Sequence, residues 1–305
     1  MVPQKHLIVI GGPTASGKTR TAIAVAQHFH TEILSADSRQ FYREMRIGTA
    51  RPTEEELAQV PHHFIGHLSI HDSYDAARYE ADALGLLKRL FSEKDCAILV
   101  GGSGLFIRAV CEGFDPMPPV PQAIRLQVQA LYLEGGLEAL REALRVHDPE
   151  YLERADIHNP RRLQRALEVC LASGRPFSSF HSRKSKPRPF VPVYVLLDPD
   201  RKALYRRIEA RVDEMIAAGL VEEARSLFPL RHLQALQTVG YQELFEHFEG
   251  RITLEQAIEQ IKTHTRRYAK RQMTWFRKYG KWQHFDPADL EGIIQYLERR
   301  MAGGA

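Results

Sequence analysis

Residues 12–19 read Gly-Pro-Thr-Ala-Ser-Gly-Lys-Thr, a complete match to the pattern GxxxxGK[ST]. No other feature of the 305 residues restricts the fold as strongly. Such a loop works only between a strand and a helix. The glycines let backbone amides turn inward around phosphate oxygens, and the helix points its positive end at the anion. The flanks supply both elements. His6 to Ile10 reads as a short buried strand ended by Gly11-Gly12, and a helix is expected from Lys18 to about Phe29. Gly12, Pro13, Thr14, Ala15, Ser16, Gly17, Lys18 and Thr19 are therefore the expected phosphate-binding residues. Lys18 adds positive charge, and the Thr19 hydroxyl can ligate magnesium. The motif does not say which phosphate compound binds.

The following residues alternate between strand and helix. Glu32 to Ala36 reads as a second strand reaching Asp37. Asp72 or Ser73 can cap a helix whose apolar positions Tyr79, Ala83, Leu84, Leu87, Leu90 and Phe91 keep helical spacing. Cys96 to Val100 reads as a third strand, followed by Gly101-Gly102 and another helix. The expected class is α/β: a parallel sheet like that of the P-loop NTPases, flanked by helices.

After Gly113 the pattern changes. Phe114 to Gln122 holds four prolines and reads as a stiff linker. Ala123 to Ser173 reads as helical, broken at Gly135-Gly136 and Asp148-Pro149, with Asn159-Pro160 as a start signal and Gly174 as a stop. Ser182 to Pro189 is basic and rich in breakers, and Val191 to Leu197 returns to an apolar strand. An all-helical module of about 70 residues, 118–189, is thus expected as an insertion into a core formed by 1–117 and 190–305. In the last third, Thr253 and Gln256 can form a capping box opening a long helix to about Tyr279.

Composition narrows the function classes. No apolar run approaches the roughly 20 residues of a membrane helix, so the expectation is a cytoplasmic protein that does not engage a membrane. Cys96, Cys111 and Cys170 form no CxxC pair and suit reduced thiols. His62, His63, His67 and His71 cluster, but without the ligand spacing of a zinc site no metal is expected there.

Asp37 stands at the end of the second strand, where strand ends line the ligand crevice of an open α/β sheet. Its carboxylate could hold magnesium through water, take a proton from an acceptor, or simply form a turn. Position alone leaves these open. Ser103, in the second glycine turn, could likewise reach a phosphate or an acceptor, or merely belong to a tight turn.

The formal net charge is +4, and its distribution says more than its size. Between Glu259 and Asp286 no acidic residue occurs, while Lys262, Arg266, Arg267, Lys270, Arg271, Arg277, Lys278 and Lys281 do. A solvated face normally mixes signs, so this run points to phosphates of a nucleic acid. Among the interleaved aromatics, Trp275 and Phe276 are expected to pack inward.

Taken together, these segments resemble the tRNA dimethylallyltransferases, also called tRNA isopentenyltransferases. The resemblance rests on residues 12–19, on Ser-Ala-Asp-Ser-Arg-Gln-Phe-Tyr at 35–42, and on Ile47-Gly48-Thr49-Ala50-Arg51-Pro52. It continues through Pro61-His62-His63, Val100 to Phe106, Asn159 to Leu163, Val239 to Glu243 and Lys270 to Arg277. It implies transfer of a dimethylallyl group from dimethylallyl diphosphate to the exocyclic N6 amine of the adenosine 3′-adjacent to the anticodon, with release of diphosphate. The partners it implies are dimethylallyl diphosphate and a tRNA anticodon stem-loop, with Mg2+ as cofactor and the protein acting as a monomer.

The same resemblance implies residue roles. Asp37 would be the general base, Ser103 would contact the acceptor, and Lys18 would join them as a catalytic residue. Arg211 would help hold the diphosphate. The segments expected to touch tRNA contain Asp37, Ser38, Arg39, Gln40, Ser103, Arg125 and Arg161, Arg162, Leu163, Gln164, Arg165. They also contain Gln237, Thr238, Val239, Gly240, Tyr241, Gln242, Lys270, Arg271 and Arg277. Two positions depart from the family pattern: Ser103 replaces the usual threonine and keeps the hydroxyl, and Phe106 replaces the usual tyrosine and loses a phenol. A P-loop small-molecule kinase and a prenyltransferase acting on free adenine nucleotides are the rival readings. Neither needs a long basic face.

Overall fold

The computed structural model describes residues 4–181 and 186–303. The chain divides into two compact units, Met1–Glu112 with Pro187–Ala305, and Gly113–Lys186. The helical unit thus has its edges a few residues N-terminal of 118 and 189. Part of the basic stretch Ser182 to Pro189, at 182–185, lies outside the described residues.

The first unit carries β1 (His6–Gly11), α1 (Lys18–His28), β2 (Ile33–Ser35), α2 (Glu54–Gln59), β3 (His62–His63), α3 (Ala76–Glu93), β4 (Cys96–Gly101) and α4 (Gly104–Glu112). The second carries α5 (Gln122–His147), α6 (Pro149–Arg154) and α7 (Pro160–Ser173). The chain then returns to the first unit with β5 (Val191–Leu197), α8 (Arg201–Ala217), α9 (Leu220–Leu227), α10 (Tyr241–Phe248), α11 (Leu254–Lys278), β6 (Gln283–Phe285) and α12 (Leu290–Met301).

The six strands form one sheet in the order β3-β2-β4-β1-β5-β6, with every pairing parallel. Alternate residues feed two apolar layers. Leu7, Val9, Leu34, Ala97 and Leu99 face a core built with α3, α4, α10 and α11, while Ile8, Ile10, Ile33 and Ile98 face one built with α1 and α12. Burial on both faces explains why these strands read as continuous apolar runs. The register also places the chemistry. Gly11 pairs with Gly101, so the phosphate loop and the second glycine turn leave the sheet side by side, and Ser35 pairs with Val100 two residues before Asp37.

Several local signals do what their chemistry dictates. Gly17 caps α1 in the left-handed region at φ 89°, a conformation that glycine adopts without strain. Thr53 with Glu56, and Thr253 with Gln256, form reciprocal capping boxes on α2 and α11. In the helical unit, Asn159 caps α7 with Pro160 at its first turn and Gly174 ends it, while Gly136 kinks α5 at φ 63°. Leu163 is fully buried there with Leu140, Leu144 and Leu167. One start was misplaced: Asp75, not Asp72 or Ser73, caps α3, because Asp72 instead accepts the Ser69 N–H at 2.8 Å. Among the described residues, no helix is long and apolar enough to cross a membrane.

Candidate active site

The carboxyl ends of β1, β2 and β4 surround a cleft of about 360 Å³ of empty space, mouth included, lined among others by Lys18, Thr19, Asp37, Gln40, Val100 and Gly101. Lys18 is the first residue of α1, and its Nζ donates to the Pro13 carbonyl at 2.6 Å. Burial of the ammonium end pushes its pKa down to about 8, with Asp37 opposing and Arg211 reinforcing the shift. Arg211, on α8, is held below the usual arginine range by its own burial, against the charges of Glu214, Glu56 and Asp37. Lys18, Arg211 and Asp37 therefore feel one another's charge across a single site. The loop is braced from behind, where Ala15 packs with Leu204 and Ile208 of α8 and Ala269 of α11. The Ser16 hydroxyl is buried without a partner beside Gly12.

The side of the cleft around Asp37 is tied together by short contacts. Asp37 Oδ1 accepts the Arg39 N–H at 3.1 Å, forming an Asx-type turn. Asp37 thus combines the turn role with a place in the cleft. The Ser38 N–H donates to Ser103 Oγ at 3.1 Å, and the two hydroxyls lie 3.2 Å apart. The Tyr268 phenol, on α11, joins this group. Burial, aided by the Asp37 charge, pushes it up to about 12, against Arg39, Arg271 and a hydrogen bond to Ser103. The phenol therefore stays protonated at neutral pH.

Not every expected contact residue can touch RNA with its side chain. Tyr241 is fully buried, and its hydroxyl donates to Glu223 Oε1 at 2.7 Å. Glu223 in turn accepts the Arg46, Ile47 and Gly48 amides, so Tyr241 supports the loop following Asp37. Leu163 is likewise a core residue. The Arg39 guanidinium donates to the Gln234, Ala235 and Gln237 carbonyls at 2.8–3.3 Å, and the Gln40 amide donates to the Thr49 and Ala50 carbonyls. Both fasten loops around the cleft. Gln237 and Gln242 bond to each other at 3.0 Å, Val239 packs on the core beside Thr238, and Gly240 caps α10. Arg125, Arg161 and Arg162 are exposed on the helical unit, with Gln164 and Arg165 half-buried and Arg165 3.6 Å from Glu168.

The basic run divides in two. Lys262 and Arg266 pair with Asp213 at 2.8 Å and Glu209 at 2.5 Å, both on α8. Arg267, Lys270, Arg271, Arg277 and Lys278 are exposed. Trp275 packs over Gly104, and Phe276 is 1% exposed in the core. Three of the four clustered histidines make local contacts: His62 bonds the Val60 carbonyl at 2.7 Å and also lines the cleft, His63 meets Glu32 at 2.6 Å, and His67 packs edgewise against Phe41, Phe64 and Tyr74.

Two site residues went unnoticed as individuals in the sequence. Tyr268 stands among the interleaved aromatics of the basic run. Gln272 is 7% exposed and bonded to both glycine-rich turns. Its visible signal is a polar residue at the inward helical phase shared by Ala269, Met273 and Phe276.

A family model described as IPP transferase matches residues 40–279. The chain is 51% identical to the tRNA dimethylallyltransferase of Christiangramia forsetii, covering 97% of this chain and 98% of that protein. It is 47% identical to the tRNA dimethylallyltransferase of Flavobacterium johnsoniae, over 96% and 97% of the two chains. Among solved structures, the full-length tRNA isopentenylpyrophosphate transferase from Bacillus halodurans superposes with a TM-score of 0.72 at 35% identity, covering 99% of this chain and 97% of that one. The chain belongs to the IPP transferase family.

Proposed function

We propose that this chain is a tRNA dimethylallyltransferase. It moves the dimethylallyl group of dimethylallyl diphosphate to the N6 amine of the adenosine 3′-adjacent to a tRNA anticodon. One observation carries the mechanism: Asp37, Lys18 and Thr19 line a single cleft whose acceptor side is built from Ser38, Ser103 and Tyr268.

The donor's diphosphate lies on the loop amides of 12–19, with the Lys18 ammonium and the Arg211 guanidinium around it. Its carbon–oxygen bond breaks with the electron pair leaving on diphosphate, and charge grows on oxygens that fixed cations already face. The amine nitrogen forms the new bond to carbon and gives its proton to the Asp37 carboxylate. An exocyclic amine is a weak nucleophile, and general-base help of this kind is worth about 10²–10⁴-fold. The Ser103 hydroxyl, beside the Asp37 turn, orients the adenine in this reading. The target base must leave its stack, at a cost of a few kcal/mol, and an anticodon loop lowers that cost.

The donor set fits magnesium. Thr19 and Asp37 offer hard oxygens, and among the described residues no cluster of three metal-ligating side chains exists, so an ion would share its shell with diphosphate oxygens and water. When bound, magnesium would neutralise part of the leaving group's charge. The exposed cations of α11, with Arg161 and Arg162, supply tRNA phosphate contacts.

The test is mass spectrometry of tRNA after incubation with enzyme, magnesium and dimethylallyl diphosphate, with free AMP and ATP in parallel reactions. The expected result is one five-carbon unit on a single adenosine of tRNA, no product on AMP and no ADP formed. Stoichiometric ADP would restore the kinase reading, and product on AMP alone would make the chain a nucleotide prenyltransferase.

A further inference from the structure

Gln272 is a polar side chain in an otherwise apolar helix face, and both ends of its amide are used. Its Oε1 accepts the Thr14 N–H at 2.9 Å, and its Nε2 donates to the Gly102 carbonyl at 3.0 Å. The fit is close: a Cβ on Gly102 would lie 2.2 Å from Nε2, so a side chain there would displace the Gln272 amide. Thr14 belongs to the phosphate loop, and Gly102 precedes Ser103, whose hydroxyl is bonded to the residue after Asp37. A single buried amide thus joins the diphosphate side of the cleft to its acceptor side. It does so from α11, whose outer face carries Lys270, Arg271 and Thr274 within two residues of it.

We infer that Gln272 is a positioning residue that fixes the spacing between leaving group and attacking amine, and ties that spacing to the helix that meets the RNA. This rests on the prenyl-transfer reading above. In-line displacement is sensitive to reactant spacing, and a misplacement of about 1 Å can cost on the order of 10²-fold. The two glycine-rich turns leave neighbouring strands, and beyond Gly11 and Gly101 no ladder hydrogen bond sets their separation. Gln272 sets it. An apolar residue would fill the same space and leave the two turns independent.

The test uses the full chain with Gln272→Met, which keeps volume and loses both hydrogen bonds, and Gln272→Glu, which keeps an acceptor for Thr14 but loses the amide donor to Gly102. Ile293→Ala on α12, buried against the opposite face of the sheet, serves as a destabilised control. Wild type is assayed first, and absence of prenyl transfer there would defeat the functional reading itself. Given an active wild type, Gln272→Met should lose about 10-fold or more in turnover per folded molecule at saturating substrates, while tRNA affinity changes by less than about 3-fold. Inorganic diphosphate, used with magnesium as the donor-site probe, should bind more weakly to Gln272→Met than to wild type. Ile293→Ala should melt earlier with turnover per folded molecule unchanged. Wild-type turnover in the folded Gln272 variants, or a loss confined to tRNA affinity, would overturn the inference. If Gln272→Met does not fold, Gln272→Glu decides on the same readouts.

Discussion

The hydroxyl of Ser103 accepts the backbone N–H of Ser38 at 3.1 Å and lies 3.2 Å from the Ser38 hydroxyl. The residue following Asp37 is thereby fastened to the glycine turn of the neighbouring strand. The contact makes Ser103 a brace of the Asp37 turn, beside the acceptor role proposed for it.

Those roles separate in two variants. Ser103→Thr restores the usual family residue with its hydroxyl intact and should keep turnover within about 3-fold. Ser103→Ala leaves the Ser38 N–H without its acceptor and should lower turnover by about 10-fold or more, with a smaller effect on tRNA affinity. Steady-state kinetics on both variants checks this. Equal activity in both would remove the hydroxyl from the account.

Lys18 predicts a pH effect on donor binding. Its pKa in the free protein is lowered to about 8, chiefly by burial. It therefore loses its charge as pH rises through about 8, well before an ordinary lysine. A bound diphosphate favours the charged form, so binding above that pH must take up a proton and weakens as pH rises. Calorimetry of inorganic diphosphate binding from neutral to alkaline pH, against Lys18→Met to remove the ligand's own titration, should show this dependence in wild type alone. Parallel curves for the two proteins would contradict it.

The outer face of α11 predicts a salt effect. Replacing Arg267, Lys270 and Arg271 together by alanine should weaken tRNA binding and reduce the slope of log affinity against log salt by about 0.7–0.9 per lost phosphate contact. Lys262→Ala should leave the slope nearly unchanged, because Lys262 already pairs with Asp213 and Glu259. Filter binding across a salt series measures both. A slope untouched by the triple change would put the RNA on another surface.

The parts of this protein legible in its sequence are those set by local chemistry. The loop at 12–19, the cap at Asn159, the capping box at Thr253 and the strand at Val191 each depend on neighbours within a few residues. The edge strands β3 and β6 have two and three residues, too few for a period to show. The pairing of Lys262 and Arg266 with α8 could not be read from α11, since their partners lie 49 and 57 positions away and nothing in the run marks them. Family motifs identified segments without saying which way their side chains point. Tyr241 lies in a motif yet supports Glu223 from the core, whereas Gln272 faces inward and meets both turns.

In the proposed reaction Asp37 takes the proton from the attacking amine. Asp37→Asn is the fitting probe, because the asparagine Oδ1 can still accept the Arg39 N–H and preserve the turn while the side chain cannot take the proton. The measurement is single-turnover prenylation and tRNA affinity on this same variant, with saturating dimethylallyl diphosphate and magnesium. The expected outcome is near-normal tRNA binding and a chemical step slowed by about 10²-fold or more. An intact chemical step with lost tRNA affinity would contradict it and make Asp37 a residue that positions RNA.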